Sequence, residues 1–345
     1  MSVNDIDFKT GYSASYYVSF VDKNSWVDFE RMNITGGSIN RDNNDALMES
    51  ADISCVNYPE SPERLVRIYM DIRQGNSVGH IPLFTGWATS PERSIKGRLT
   101  TNTLQCYSVL KPSQDILLPP GWYVPVETDS RRLIEELLKP TGAPIIFANE
   151  MASLKNALIA EENENNLSMA ELILDSVGCN MQIRGDGMIF IYERQSANQA
   201  DISRTFDYID NDILETQVTV KRDWYDCPNV FRAIVDDSYA IARDDDPESI
   251  FSTVQRGREI WAQETDCDLL DNESPSEYAA RRLEELQTVY RTINYTRRYQ
   301  PDLYPLDFVR IHYPAQDISG IFQIASQTIN LGYNASTSEE AIQVG

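Results

Sequence analysis

One alternating run near the start of the chain constrains the fold more than any other feature. Between Glu63 and Ile72, every second residue from Val66 onward is apolar, and these positions are Val66, Ile68, Met70 and Ile72. Successive side chains of a β-strand point to opposite faces, so the run predicts a strand with one face on a core. Further runs that predict strands lie at Ser15–Val21, Ser38–Arg41, Ala51–Val56, Leu83–Ala88 and Thr101–Leu110. Strands so close together predict a first β-barrel domain in residues 1–115, with Gly36-Gly37 separating two of them.

Two helices and a hairpin are predicted for residues 116–200, which we interpret as a central small α/β domain. The first helix begins at Thr128–Ser130 and ends before Pro140, which cannot continue a helix. The second begins with a capping box of Ser168 and Glu171 and ends at Gly178. Their apolar positions are Leu133, Ile134, Leu137 and Leu138 in the first, and Met169, Leu172, Ile173 and Val177 in the second. The hairpin consists of Cys179–Arg184, a turn at Gly185–Gly187, and Met188–Glu193.

Residues 201–345 return to a β pattern and are predicted to form a second barrel domain with one inserted helix. The helix begins at Ser274, where Ser274 and Glu277 match a second capping box, and it ends near Val289. An acidic loop is predicted between Asp236 and Glu248. The strands are Thr216–Lys221, Val230–Val235, Arg291–Tyr299, Leu306–Tyr313 and Gly320–Leu331. The predicted fold class is therefore α+β, mainly β, with two barrels around a central α/β domain.

The charge of the chain argues against several classes of binding protein. Its 30 Lys and Arg residues against 53 Asp and Glu residues give a formal net charge of -23. Such an acidic protein is a poor candidate for electrostatic capture of DNA or of an anionic membrane. No apolar run has membrane-spanning length, and the first residues lack the basic and apolar segments of a secretion signal. The prediction is a protein assembled in a cytoplasm without membrane insertion.

The sequence predicts no catalytic, cofactor-binding or metal-binding residues. The two histidines, His80 and His312, lie far apart, and His312 is predicted to be a packed or edge side chain of a strand. The Gly185–Gly187 segment fits a hairpin turn better than a phosphate or metal loop. Asp244–Asp246 lacks the ligand spacing of a calcium site, which favours a solvated acidic turn. The cysteines, predicted to be buried small hydrophobic side chains, are Cys55, Cys106, Cys179, Cys227 and Cys267.

The order of these segments resembles that of the tail-tip, or baseplate, hub proteins of long-tailed bacteriophages and related contractile injection systems. The first-barrel residues that carry the resemblance are Ile34–Asp42, Ala51–Cys55, Leu65–Tyr69, Phe84–Arg93 and Leu104–Tyr107. Those of the rest of the chain are Val124–Val126, Ser168–Tyr192, Pro228–Phe231, the helix at Ser274, Leu306–Arg310 and Phe322–Ile324. Leu306 stands where the family often has glycine. The chain stops soon after the last strand, so no appended lysozyme, peptidase or receptor-binding module is expected.

The resemblance implies a structural virion protein rather than an enzyme. In such hubs, three copies of a two-barrel chain form a homotrimeric ring that appears sixfold to the tail tube and threefold to the tip. The implied partners are further copies of the chain, the tail tube or distal tail protein, the tape measure protein, and a tip or receptor-binding protein. DNA would pass through the ring only in transit during ejection. The implied location is the virion tail, after assembly in the host cytoplasm.

Two other functions remain open from the residues alone. One is a cell-wall-degrading hydrolase that uses paired carboxylates, which are defined by separation in space rather than in sequence. The other is a carbohydrate-binding module. The acidic charge also has two interpretations: it lines a DNA conduit, where it would prevent phosphates from sticking, or it keeps the protein soluble. Asp236, Asp237 and Asp244–Asp246 are the loop candidates for a conduit wall.

Overall fold

The computed structural model describes residues 6–8, 10–56, 58–59, 63–89, 91–96, 99–195, 202–207, 218–222, 224–235, 238–265, 267, 274–287, 291–314, 317–332 and 336–344. The chain forms two compact units. Unit 1 comprises Met1–Val218 and Asn294–Gly345, and unit 2 comprises Thr219–Ile293. The predicted domain boundaries at residues 115 and 200 stay a prediction. No helix in the described part of the chain is long and apolar enough to cross a bilayer.

The secondary structure is mainly β with five α-helices among the described residues, which confirms the predicted fold class. The first strands are β1 (Ser13–Val21), β2 (Asp28–Asp42), β3 (Glu49–Val56), β4 (Arg64–Gln74), β5 (Ser77–Ala88), β6 (Glu92–Lys96), β7 (Leu99–Ser108), β8 (Tyr123–Val124), β9 (Ile145–Phe147), β10 (Leu158–Ile159), β11 (Cys179–Ile183), β12 (Ile189–Glu193) and β13 (Ile202–Asp207). The later strands are β14 (Thr219–Lys221), β15 (Val230–Val235), β16 (Ser238–Arg243), β17 (Trp261–Thr265), β18 (Thr292–Arg298), β19 (Phe308–Tyr313), β20 (Ile318–Asn330) and β21 (Ser336–Gln343). The helices are α1 (Lys111–Gln114), α2 (Ser130–Leu138), α3 (Asn166–Ser176), α4 (Thr253–Arg256) and α5 (Pro275–Gln287), and a 3₁₀ turn spans Lys139–Thr141.

Six strands at the start of unit 1 close into a barrel. Their order is β1, β4, β5, β7, β3, β2, and the barrel closes because β2 also pairs with β1. The four apolar positions of β4 that were predicted to face a core, Val66, Ile68, Met70 and Ile72, are all fully buried. The opposite face of β4 is also partly covered, since Leu65 and Arg67 are buried. Another part of the chain therefore packs against the outer face of the barrel at β4.

The predicted break at Gly36-Gly37 is wrong, because β2 runs without interruption through both glycines. Its pairing with β3 shifts register between Ile34 and Gly36, which is a β-bulge. Gly37 has φ +148°, and a Cβ there would lie 2.2 Å from the carbonyl oxygen of Asp52. The glycines thus permit a close approach between strands rather than a chain reversal.

Beyond this bulge, β2 also pairs with a second group of strands, which we call the second sheet. Residues Ser38–Asp42 pair with β20, and the order continues through β21 to β18. Strand β19 also pairs with β20, and β13 lies parallel to β19. One long strand is therefore shared by the barrel and the second sheet, so that both belong to a single hydrogen-bonded structure.

The central part of unit 1 combines α2 and α3 with a three-stranded sheet in the order β11, β12, β9. The hairpin of β11 and β12 is confirmed, and β9 adds to it in parallel. The four predicted apolar positions of α2 are buried, and Asp129 caps the helix by accepting a hydrogen bond from the backbone N–H of Arg132. Gly178 has the predicted positive φ, +67°. These elements share one apolar core.

The predicted start of α3 is wrong by three residues. The N-cap is Asn165, whose side chain accepts from the Ser168 backbone N–H, while the Ser168 hydroxyl accepts from the Asn165 N–H. Ser168 is thus the third helical residue of a capping box, not the cap itself. The shift also corrects the buried face, because Leu172 is 41% exposed whereas Leu174 is buried.

Unit 2 contains a three-stranded sheet in the order β16, β15, β17, with α5 packed on one face. The capping box at Ser274 and Glu277 is confirmed. The predicted acidic loop between Asp236 and Glu248 is wrong for Ser238–Arg243, which form β16 and pair with β15. Ala240 and Ala242 lie on the same face of this strand and pack against the core beneath α5. Such alternation is typical of a strand with one buried face.

Removing either cap is expected to destabilise the protein. Asn165→Ala and Ser274→Ala should each lower the free energy of unfolding by about 1 kcal/mol, because each leaves a helix-start N–H without its side-chain acceptor. Chemical denaturation of each variant measures this difference. Ser276→Ala, an exposed position one residue inside α5, is the matched control and should behave like the parent. Equal stability of all variants would show that the caps contribute nothing.

Candidate assembly site

The hairpin turn of the central α/β part is bound to the outside of the barrel. The Gly185 carbonyl accepts a hydrogen bond from the Thr85 hydroxyl at 2.9 Å. The Asp186 carbonyl accepts from Arg67 at 2.9 Å and from the Trp26 indole N–H at 3.2 Å. Arg67 also donates to Thr85 Oγ1 at 3.0 Å, so the cation and the hydroxyl form one connected group. This contact explains the burial of the outer face of β4.

Glycines make this contact possible. A Cβ on Gly185 would lie 2.1 Å from the carbonyl oxygen of Pro82, which is barrel backbone. A Cβ on Gly187, whose φ is +83°, would lie 2.8 Å from the Cβ of Thr85. The turn was predicted correctly, but its glycines also serve a tertiary role, because the turn lies directly against a strand of the barrel.

A buried ion pair lies in the second sheet. Arg297 of β18 and Glu339 of β21 have side chains that are 1% and 0% exposed. Arg297 Nε donates to Glu339 Oε2 at 2.7 Å, and a second guanidinium nitrogen donates to Oε1, so the pair is bidentate. Gln327 of β20 donates to the same carboxylate and to the Leu303 carbonyl at 3.1 Å. Bidentate geometry and the added donor compensate for the loss of water around the charges.

A second buried pair, Arg41 and Glu49, joins this network to the barrel. The two side chains approach to 3.8 Å, and Arg41 also donates to Gln327 at 3.4 Å and to the Leu83 carbonyl at 2.5 Å. Its guanidinium lies 4.4 Å from the ring centroid of Tyr304. We call the five side chains Arg41, Glu49, Arg297, Gln327 and Glu339 the polar junction. It connects β2 and β3 of the barrel to β18, β20 and β21.

Within the polar junction, Glu49 is the residue whose hydrogen-bonding capacity is least satisfied. Neither of its carboxylate oxygens has a hydrogen-bond partner among the described residues. Burial raises the pKa of Glu49 to about 8, against the opposing effect of Arg41, and Asp186 raises it further. The neutral, protonated form is therefore favoured at neutral pH.

A cleft of about 320 Å³ lies between the loop after β2 and helix α3. Burial raises the pKa of Glu171 in this cleft to about 7, and the neighbouring Asp175 and Asp45 act in the same direction. Arg194 forms an ion pair with Asp175 at 2.6 Å. None of the residues that line the cleft is aromatic or a histidine, so it offers no stacking surface for a sugar ring.

The residues considered in the sequence for chemistry do not come together. His80 is exposed beside Asp71 at 2.7 Å, and His312 is exposed on a central strand beside Ser319 at 3.2 Å, which corrects its predicted packed or edge position. Four cysteines are buried and Cys267 is half-buried. Within the described ranges, no three His, Cys, Asp or Glu side chains are placed to hold a metal ion.

The candidate acidic residues have structural partners where the structure describes them. Asp244 accepts from the Ser249 hydroxyl at 2.6 Å and from Gln287 at 3.0 Å. Asp245 pairs with Arg243 at 2.9 Å, and hydrogen bonds from Thr253 and Arg243 lower its pKa. Asp246 accepts from the Glu248 N–H at 2.9 Å. Asp236 and Asp237 lie outside the described residues.

The polar junction was missed in the sequence, although a signal was present. Arg41, Arg297 and Glu339 each occupy the same strand face as buried neighbours, namely Ile39, Tyr295 and Ala341. A charged residue at an inward position of an alternating strand indicates a buried ion pair, but its partner cannot be read from one strand.

Comparison with known structures reveals a shared fold over nearly the whole chain, whereas no family model and no curated protein matches. The 43 kDa tail protein of prophage MuSo2 from Shewanella oneidensis has a TM-score of 0.66 and 13% identity, over 96% of this chain and 97% of that chain. A tail protein from Neisseria meningitidis MC58 has a TM-score of 0.67 and 12% identity, with 97% of each chain covered. A chain of the Francisella PdpA–VgrG complex has a TM-score of 0.60 and 10% identity, over 97% of this chain and 58% of that chain.

The predicted resemblance is therefore confirmed at the level of the fold. This chain shares its fold with the prophage MuSo2 tail protein and with the Neisseria meningitidis tail protein. Identities of 10–13% mean that the likeness lies in the arrangement of elements rather than in particular side chains.

Gly185→Ala is expected to lower the free energy of unfolding by about 1 to 3 kcal/mol, because its Cβ would overlap barrel backbone. Denaturant unfolding measures the loss. Gly36→Ala is the matched control, since a Cβ at Gly36 meets nothing within 4 Å and should cost no stability. Equal effects of the two substitutions would contradict the described contact between the turn and the barrel.

Glu339→Gln is expected to cost about 3 to 5 kcal/mol, because it leaves the buried Arg297 charge without its counter-ion. Glu340→Gln, at the exposed neighbouring position, should change stability by less than about 0.5 kcal/mol. Thermal or denaturant melts of the two variants provide the comparison. A small loss in Glu339→Gln would mean that the pair is accessible to water.

Glu49 should make the stability of the protein depend on pH. Its pKa is raised in the folded state, so the folded protein keeps a proton that the unfolded chain releases between pH 4.5 and about 8. This contribution is complete below the unfolded pKa and is lost as pH rises towards the folded pKa, by at most about 1.4 kcal/mol per pH unit. Glu49→Gln should flatten the slope in denaturation measured across this window.

Glu171 and Asp307 also have raised pKa values, so some slope should remain in the Glu49→Gln variant. The informative quantity is the difference between the parent and the variant. Glu340→Gln, which changes an exposed carboxylate, should leave the slope unaltered. Identical slopes in the parent and Glu49→Gln would contradict the raised pKa of Glu49.

Proposed function

We propose that this protein is a tail-tip or baseplate hub of a phage, a structural component of the virion tail that is assembled in the host cytoplasm. The observation that carries the proposal is the fold similarity to two tail proteins, which extends over 96–97% of this chain and 97% of each of theirs. Partial similarity confined to one barrel would fit many assemblies. A match along the entire chain favours the same architectural role.

Three copies of the chain form a ring in this proposal. Each copy contributes two β parts, the closed barrel and the second sheet. The sequence predicts them as domains 1–115 and 201–345, with a central domain at 116–200 between them. Three copies then present six β parts to the tail tube and a threefold surface to the tip. Heterologous contacts that close after three copies are a common route to such rings.

The junction between the two β parts supports this role. A symmetry adaptor needs its two halves at a fixed relative position, since otherwise six β parts could not form one regular surface. The shared strand β2 and the buried polar junction supply that constraint within unit 1. The function is accordingly structural rather than enzymatic.

The proposed partners follow from the position of such a ring. They are the tail tube or distal tail protein on one side, the tip or receptor-binding protein on the other, and the tape measure protein in the channel. DNA passes through the channel during ejection. A wall enriched in the acids of this chain, whose formal charge is -23, would repel phosphates and let DNA slide.

The test is the mass of the purified chain in solution together with particle images. A trimer that forms a ring with a central channel is the expected result, with acidic side chains on the channel surface of the refined ring. A protein that stays monomeric at its highest soluble concentration would overturn the ring. A ring with a neutral or basic channel would retain the hub and replace the conduit role of the acid with solubility.

A further inference from the structure

The sheet of unit 2 has one covered face and one open face. Helix α5 covers the first, where Tyr278, Ala279 and Leu283 pack on Phe231 and Ala233. The open face carries the alternate side chains of the same strands. We define it by Arg232 of β15, Tyr239 and Ile241 of β16, and Trp261 of β17.

Three large side chains on the open face are exposed to solvent. Tyr239, Ile241 and Trp261 are 68%, 45% and 46% exposed. Nine of the twenty large apolar side chains that are exposed among the described residues belong to unit 2, which contains about a fifth of the chain. Exposed apolar surface concentrated in this way marks interaction sites on soluble proteins.

Arg232 occupies the centre of the open face and lacks an ionic partner. Its guanidinium lies 5.0 Å from the Trp261 ring centroid and 5.9 Å from that of Tyr239. Its Nε is buried without a hydrogen bond, and among the described residues no carboxylate pairs with it. Arg243 on the neighbouring strand, by contrast, pairs with Asp245 at 2.9 Å and with Glu259 at 2.6 Å.

We propose that the open face is a contact between copies of this chain, and that Arg232 pairs there with a carboxylate of the neighbouring copy. The proposal rests on the ring described above and names the surface that builds it. Charge complementarity selects the occupant, because a chain with 53 acidic and 30 basic residues offers mostly carboxylates to an unpaired arginine. Tryptophan, tyrosine and arginine together are also the residues that dominate the energy of protein interfaces.

The same charge disfavours a twofold dimer whose axis passes at Arg232. Such a dimer would bring two Arg232 guanidinium groups of like charge towards each other. The contact is therefore heterologous, with the open face of one copy against a different, acidic surface of the next. Repeated heterologous contacts generate rings when the rotation closes, as a trimer requires.

The experiment compares the assembly of the purified full-length chain with that of three variants by sedimentation equilibrium. Arg232→Glu reverses the central charge, and Trp261→Ala removes the apolar anchor without changing charge. Each should weaken association about 30-fold or more, as loss of a central interface residue does. Arg281→Glu, on the helix that covers the other face, makes the same charge change as Arg232→Glu and should assemble like the parent. Circular dichroism melts establish that the variants are folded.

The outcomes separate this inference from the proposed ring. If the parent and all variants assemble equally well, the ring stands and the open face is not its contact. If Arg281→Glu weakens assembly as much as Arg232→Glu, total charge rather than the open face controls association, and the inference fails. A parent that never assembles overturns the ring and this contact together. Loss of assembly in Arg232→Glu and Trp261→Ala alone supports the contact.

Discussion

A charge buried in a protein must be matched, and this requirement ties the parts of unit 1 together. Arg297 and Glu339 are almost completely withdrawn from water, and each satisfies the other with two hydrogen bonds. Gln327 extends the network to Arg41, which lies 3.8 Å from Glu49 in the barrel and donates to the Leu83 carbonyl. Sliding the second sheet along the barrel would separate these partners in a low dielectric, where an uncompensated charge costs several kcal/mol. The polar junction therefore specifies one arrangement of the two β parts.

The central α/β part is held against the barrel by a different set of contacts, namely backbone hydrogen bonds and close packing at glycines. Its hairpin turn presents carbonyl groups to Arg67, Thr85 and Trp26, while its glycines bring it close to the barrel backbone. From the other side, Gln182 donates to the Pro305 carbonyl at 2.9 Å, next to the polar junction. The hairpin thus contacts both β parts of unit 1. These contacts fix the position of the hairpin relative to both β parts.

The features of this chain that bear on its function are its surfaces and its fold. Burial raises the pKa of Glu49 inside the polar junction and of Glu171 in the cleft beside α3, and the exposed histidines lie on open strand faces. Unit 2 differs in character, since it concentrates exposed aromatic side chains around an arginine without a counter-ion. A rigid unit 1 combined with a surface suited to contact another copy is consistent with a ring-forming hub.

The sequence by itself determined the local elements of this protein. Alternation in β4, the stripe of α2, the cap at Ser274 and the Gly178–Glu193 segment depend on neighbouring residues, so they were predictable to within a few positions. Shifts of a few residues, as at Asn165 and Ser168, arose because two polar side chains three residues apart can each cap a helix. Only the tertiary structure decided that β2 continues through Gly36-Gly37, that Arg41 meets Glu49, and that Arg232 stands alone on an open face. These features depend on which strands become neighbours in space, and a single sequence carries no record of pairing between residues that lie far apart along the chain.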